Sequence, residues 1–273
     1  MTNWKSVNRL SPCPVCKKPD WCCVSPDRCL ACCNRIEEGS VKRLSGGGWL
    51  HALKPKGEGT EFYVPKPKPL PEHNEVMAEI ARRVLRSTDN KNLVEFALEL
   101  GVDVESVNNF NVGYDEARKE YLFPMLRGRD KVVGVRIRNK TGGKFSIKGS
   151  KNGLFVPNNF RDEGVVYICE GESDAMALHS CYLNVVGRPS CNSCEKIIKE
   201  LVEDRDVVIC LDQDEAGRKG AEKLAQYLKI HCKSVKMFEA PDGINDMREW
   251  VNTHGRHELF SAAKRLHGQT QRC

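Results

Sequence analysis

The chain has 273 residues, 40% of them apolar and 29% charged, enough for more than one domain with a real core. That composition excludes a disordered, collagenous or fibrous protein, and the absence of any run near ~18 apolar residues excludes a hydrophobic membrane span. The net charge of +6 is unevenly placed: residues 1–70 carry 12 Lys/Arg against 6 Asp/Glu, and residues 118–151 carry 11 against 2. Two separate basic zones point to a polyanionic partner, because clustered cations neutralise phosphates. The opening MTNWKSVNRLSPC lacks the apolar run of a secretory signal, so the expectation is a soluble protein of the cytoplasm.

Seven of the fourteen cysteines fall between positions 13 and 33, in SPCPVCKKPDWCCVSPDRCLACCNR. The segment is too poor in apolar residues to fold on a core of its own. In a reducing compartment that density reads as metal chelation rather than as disulfides. A CxxC turn sets two thiolates one zinc edge apart, and two such turns complete a tetrahedron. Cys13 and Cys16 form the first pair and Cys29 and Cys32 the second, with Cys22 and Cys33 as the alternative second pair. VKRLSGGGWLHALKPKG then supplies a strand and turn to finish a zinc ribbon over residues 1–63. VPKPKPLP opens a stiff proline-spaced linker over 64–73.

Between 74 and 100, NEVMAEIARRVLRS and NKNLVEFALELG predict two amphipathic helices stopping at Gly101. VESVNNFNVGYDEARKEYLFPML shifts to β patterning. In KVVGVRIRN, Val133, Val135 and Ile137 alternate with Arg136 and Arg138, the pattern of a half-buried strand with a cationic face. Lys144, Lys148 and Lys151 continue the basic zone, and together these residues suggest a phosphate-binding groove in a domain spanning 74–160.

From 161 to 273 the pattern becomes alternating β and α. VVYIC, LNVVG, DVVICLD and SVKMFEA are the strands, with helices after each, which predicts a mostly parallel sheet covered on both faces. Ligands in such sheets sit beyond the carboxyl ends of the strands. Glu170 closes the first strand, and Asp212 and Asp214 follow the third, where strand alternation would aim both the same way. Such an all-oxygen set suits magnesium or manganese. Gly171 permits a tight turn there, and Glu172 reads as a solvated loop residue. Cys191-Asn-Ser-Cys194 is a further CxxC that lacks two more ligands and reads as incidental.

EGESDA at 170–175 and LDQDEAG at 211–217 resemble the two halves of the TOPRIM domain, found in DnaG-type primases, phage primase-helicases, topoisomerases, OLD-family nucleases and RecR-type repair proteins. Upstream, YLFPMLRGRDKVVGVRIRN and GGKFSIKGSKNGLFVP are similar to the basic domain that precedes TOPRIM in primases. CPVCKKPDWC with GGWLHAL resembles the ribbon of phage- and plasmid-borne primases, and INDMREW resembles their KD-x-R-x-W segment, with Asn245 in place of the lysine. The order of the three parts is that of a primase.

The resemblance implies an α/β protein with a zinc ribbon, a basic α+β primase domain and a C-terminal TOPRIM domain. It implies a DNA primase that makes short RNA primers on single-stranded DNA from NTPs. Glu170 would be the general acid/base or metal-organising carboxylate, Asp212 and Asp214 magnesium ligands, and Asp174 a supporting acid. Arg136, Arg138, Lys144 and Lys148 would hold template or triphosphate, and Arg188 would sit in a small anion-binding loop. A TOPRIM nuclease, or a non-catalytic DNA-binding module that recruits a helicase, are the alternatives. No G-x-x-x-x-G-K-[ST] occurs, so a separate replicative helicase is the expected partner, in a bacterial cytoplasm or a phage-infected cell.

Overall fold

The computed structural model describes residues 4–44, 47–55, 62–63 and 69–268. The chain forms two compact units, residues 1–69 and 70–273. The first half of the proline-spaced linker, 64–68, lies outside the described residues.

The first unit is built on short antiparallel strands: β1 (Lys5–Ser6), β2 (Cys23–Val24), β3 (Leu30–Cys33), β4 (Lys42–Arg43) and β5 (Trp49–Ala52), in the order β1-β2-β3-β5-β4. A separate pair follows, β6 (Lys54–Pro55) with β7 (Phe62–Tyr63). The apolar cluster of this unit is small and rich in cysteine, with Cys13, Cys22 and Cys33 among Val7, Val24, Ala31 and Leu53. So little buried apolar surface cannot offset the entropy of ordering the chain, which is the physical reason to expect a metal staple.

The second unit opens with α1 (Glu75–Ser87) and α2 (Asn90–Leu100). Asn74 and Asp89 cap them by accepting N–H bonds from Met77 and Lys91, and Gly101 ends α2 at φ +70°, a left-handed stop. Next, where β patterning was expected, Val104–Asn109 forms a short helix, α3. Asp103 precedes it, and the one-turn spacing of Val104 and Val107 turns both toward the core. The strands β8 (Gly113–Asp115), β9 (Glu120–Arg127), β10 (Lys131–Asn139) and β11 (Lys144–Ser146) make an antiparallel sheet in the order β11-β10-β9-β8. Helix α1 covers one face, where Met77 and Val84 meet Leu122, Val135 and Ile137.

The remainder alternates strand and helix as the pattern requires: β12 (Val166–Glu170), α4 (Glu172–Ser180), β13 (Val185–Arg188), α5 (Glu195–Val202), β14 (Asp206–Leu211), α6 (Glu215–Leu228), β15 (Ser234–Glu239), α7 (Met247–His254) and α8 (Arg256–Gly268). The sheet is wholly parallel, in the order β13-β12-β14-β15. Both faces are buried. Tyr167, Cys169, Val208 and Cys210 lie in one core, and Val166, Ile168, Val207, Ile209 and Leu211 lie in the other. Among the described residues no helix is long and apolar enough to cross a membrane.

The two sheets of this unit are stitched together by Leu154 and Phe155. Leu154 exchanges two backbone hydrogen bonds with Leu126 of β9, both 2.7 Å, and Phe155 exchanges two with Gly187 of β13, 2.8 and 2.9 Å. One core accordingly runs through both, taking in Phe96, Tyr121, Phe123 and Phe155 together with Tyr167, Met176 and Trp250. This seam sets the cationic strands β10 and β11 beside the carboxyl ends of the parallel strands.

Candidate active site and cysteine cluster

The carboxyl ends of β12, β13 and β14 carry Glu170, Arg188 and, one residue on, Asp212. Glu170 and Arg188 are register partners on adjacent strands, and Gly171 N–H donates to the Arg188 carbonyl at 2.8 Å. The turn into α4 needs glycine at Gly171, at φ +84° and ψ 160°. It also needs glycine at Gly187, where a Cβ would stand 2.5 Å from the Gly171 carbonyl oxygen.

A cleft of about 380 Å³ opens at this edge. Glu170, Asp174, Asp212 and Asp246 contribute its acids and Arg136, Arg138, Lys144 and Arg248 its cations. Six of the residues expected from the sequence therefore meet: Glu170, Asp174, Asp212, Arg136, Arg138 and Lys144. Lys148 is exposed and does not line the cleft. Arg188 lies behind it, 3% exposed, with Nη1 making no hydrogen bond; burial depresses its pKa and Glu170 opposes that shift. Asp214 is exposed and does not follow the strand alternation expected of it, because β14 ends at Leu211. It caps α6 instead, its Oδ1 accepting from Gly217 N–H at 2.6 Å, which leaves Oδ2 free of that bond.

The acids crowd one another. Burial pushes the Asp212 pKa up to about 7, with Glu170, Asp246 and Asp214 adding to the rise. Burial, then Asp246, hold Asp174 well above the usual carboxylate range, although Arg248 N–H donates to its Oδ1 at 2.9 Å. Like charges held this close call for a cation. Among the described residues these carboxylates do not converge within 4.8 Å as the cysteines below do, so they suit a hard ion that keeps several of its waters.

Glu172 departs from the expectation of a solvated residue. It is 1% exposed in the first turn of α4, and its carboxylate pairs with Lys144 at 2.8 Å and faces Arg136 at 3.9 Å. An acid two positions after a strand reads as loop from sequence. Arg136 of β10 and Lys144 of β11 reach across to it in the folded chain. Asp246 and Arg248 enter from the sequence only through the resemblance of INDMREW to the KD-x-R-x-W segment, which assigns neither a place beside Asp174 or Asp212. The spacing Asp246-x-x-Glu249 is a helix-start signal, and Asp246 does cap α7 by accepting from Glu249 N–H at 2.7 Å.

In the first unit the sulfur atoms of Cys13, Cys16, Cys22 and Cys33 lie within 4.8 Å of one another. Cys22 and Cys33 thus stand where the paired CxxC reading puts Cys29 and Cys32. Cys29 is exposed and its thiol donates to the Asp27 carbonyl. Cys32 lies opposite Cys23 across β2 and β3, and strand alternation turns it away from the side that Cys33 faces. Burial raises the Cys16 pKa, but the backbone hydrogen bond at Lys18 and the other three thiols outweigh it and bring the group to about 7. Four convergent thiols, one of them readily ionised, fit a tetrahedral soft-metal site.

Residues 167–251 match the model of a Toprim-like family. No curated protein matches the chain. The structure resembles the DnaG primase catalytic domain bound to single-stranded DNA, with a TM-score of 0.56 at 16% identity, covering 70% of this chain and 77% of that one. It also resembles the Aquifex aeolicus primase zinc-binding and RNA polymerase domains, at 0.55 and 20%, covering 67% of this chain and 59% of that one. The primase fragment of the bacteriophage T7 primase-helicase matches at 0.50 and 18%, covering 61% and 72%. The expected α/β architecture with a Toprim-like C-terminal part is borne out.

Proposed function

We propose that the chain is a DNA primase, a DNA-directed RNA polymerase that builds short RNA primers on single-stranded DNA from NTPs. The observation that carries this reading is a single cleft in which the strand-end acids Glu170 and Asp212 face Arg136, Arg138 and Lys144. Nucleotidyl transfer needs that pairing of divalent-metal ligands with phosphate-binding cations. The similarity to DnaG and T7 primase structures supports the same reading, as does the order of ribbon, basic part and Toprim-like part.

Glu170 and Asp212, with Asp214 through Oδ2, would hold magnesium or manganese. When bound, the metal neutralises phosphate charge and lowers the pKa of the attacking hydroxyl. Arg136, Arg138 and Lys144 orient the triphosphate and the template phosphates. In the transfer the primer 3′ oxygen would bond to the α-phosphorus as pyrophosphate leaves, and Glu170 is the carboxylate we assign to take the hydroxyl proton. Arg188 sits behind Glu170 as its buried counter-charge. Zinc is the metal proposed for Cys13, Cys16, Cys22 and Cys33. A separate replicative helicase supplies unwinding.

Purified protein with single-stranded DNA, labelled NTPs and Mg²⁺ tests the reading. New RNA of a few nucleotides is the expected product. Shortened DNA would point to a nuclease, and a shifted band without either product would point to a non-catalytic binding module.

A further inference from the structure

Among the described residues of the first unit, Trp21 is the largest exposed apolar side chain, with 78% of its surface open, and it sits at φ +60°. A bulky residue in the left-handed region is an outlier that persists only where its surroundings hold it. Here they do. The Asn34 side-chain amide donates to the Trp21 carbonyl. The Arg35 guanidinium lies over the indole, 5.2 Å from its centroid, and donates to the Asp20 backbone oxygen at 2.7 Å. That same guanidinium stands 3.7 Å from Cys22 Sγ and 3.9 Å from Cys16 Sγ. The ring is therefore fixed to the cysteine cluster through one arginine, yet remains open to a ligand.

A rigid, exposed aromatic suits an apolar protein groove or a nucleobase equally well. Charge decides between them. Lys17 and Lys18 are exposed four and three residues before Trp21, at the end of the turn that begins at Cys13, and residues 1–70 carry an excess of six positive charges. We propose that Trp21 is a stacking platform for one base of a single-stranded nucleic acid, with Lys17 and Lys18 taking the flanking phosphates. The proposal deepens the primase reading and rests on it, but it concerns a site made wholly by the first unit. Stacking tolerates any base, because every base has a π-face.

The test uses the full-length, metal-loaded protein and two fluorescent twelve-nucleotide strands, oligo-dT and an abasic strand of equal charge. Trp21→Ala is expected to weaken oligo-dT binding roughly 5- to 100-fold, the range found for loss of one stacked base. Abasic binding should change by less than about twofold, since it depends on phosphate contacts alone. Trp21→Phe should retain most of the preference for bases and lose part of the tryptophan quenching that oligo-dT causes. Metal content measured alongside shows that the ribbon of each variant is intact. If Trp21→Ala keeps the wild-type preference for oligo-dT over the abasic strand, this proposal alone is overturned. If the unaltered protein binds neither strand, the primase reading falls with it.

Discussion

Lys144 Nζ lies 2.8 Å from Glu172 Oε1, so a cation of the antiparallel sheet is tied to the first turn of a helix in the parallel one. Arg136 approaches the same carboxylate at 3.9 Å, and Glu172 is nearly inaccessible. Two cations that would otherwise meet phosphate thus share one buried counter-charge. Glu172→Gln keeps the shape and removes the charge. It is expected to raise affinity for single-stranded DNA severalfold and to slow primer synthesis at least tenfold, because Lys144 and Arg136 lose their fixed position. Filter binding and primer yield together check this; unchanged values for both would show the pairing to be ornamental.

Asp212→Asn or Glu170→Gln is expected to abolish Mg²⁺-dependent synthesis while DNA affinity stays within about twofold, since affinity comes from cations. A single-turnover assay beside a binding isotherm separates the two effects. Synthesis at the wild-type rate by Asp212→Asn would falsify the placement of the active site.

Asp212 also sets a pH dependence. Its pKa is raised to about 7 in the folded chain, against roughly 3.9 unfolded, so the folded state binds more protons between these values. Stability without divalent metal should therefore fall as pH rises from 4 to 7, by roughly 2–4 kcal/mol from this group. Asp212→Asn should flatten that decline, and Mg²⁺ should offset it near pH 7. Thermal melts across the pH series, with EDTA or with Mg²⁺, read both effects.

Zinc content distinguishes the cysteines. Cys13→Ser, Cys22→Ser and Cys33→Ser should each lose most of one bound zinc, whereas Cys29→Ser and Cys32→Ser should retain it. Metal analysis of the purified variants decides; retention by Cys22→Ser would return the site to the paired CxxC arrangement.

In the groove, Arg136→Ala with Arg138→Ala should lower the slope of log K against log salt by roughly 1.4, at ~0.7 for each lost contact with single-stranded DNA. Lys148→Ala, outside the cleft, should leave the slope nearly unchanged. An equal effect from Lys148 would extend the groove past Ser146.

The repeating layers were legible in the sequence because their signals are local and periodic. The apolar runs ending at Cys169, Gly187 and Leu211 fix three parallel strands, and Gly101 marks the end of α2. Glu170 and Asp212 were legible for the same reason, as acids directly after such runs. Glu172 was not, and Asp246 and Arg248 were legible only as part of a family-like segment, because what joins all three to the site is the approach of elements far apart in sequence. Lys144 is 28 residues from Glu172, and Asp174 meets the backbone of Arg248 across 74. The cysteines show the same limit: CxxC spacing identifies Cys29 and Cys32 as a pair, but the pleat of β3 decides which neighbour faces inward.

The backbone bonds of Leu154 and Phe155 make the two sheets of the second unit behave mechanically as one plate. A plate cannot hinge along a riveted line. The cleft therefore lies on one continuous surface, bordered by Gly142 in the turn beyond β10. Heat should likewise melt this unit in a single step, with the basic and Toprim-like portions losing structure together.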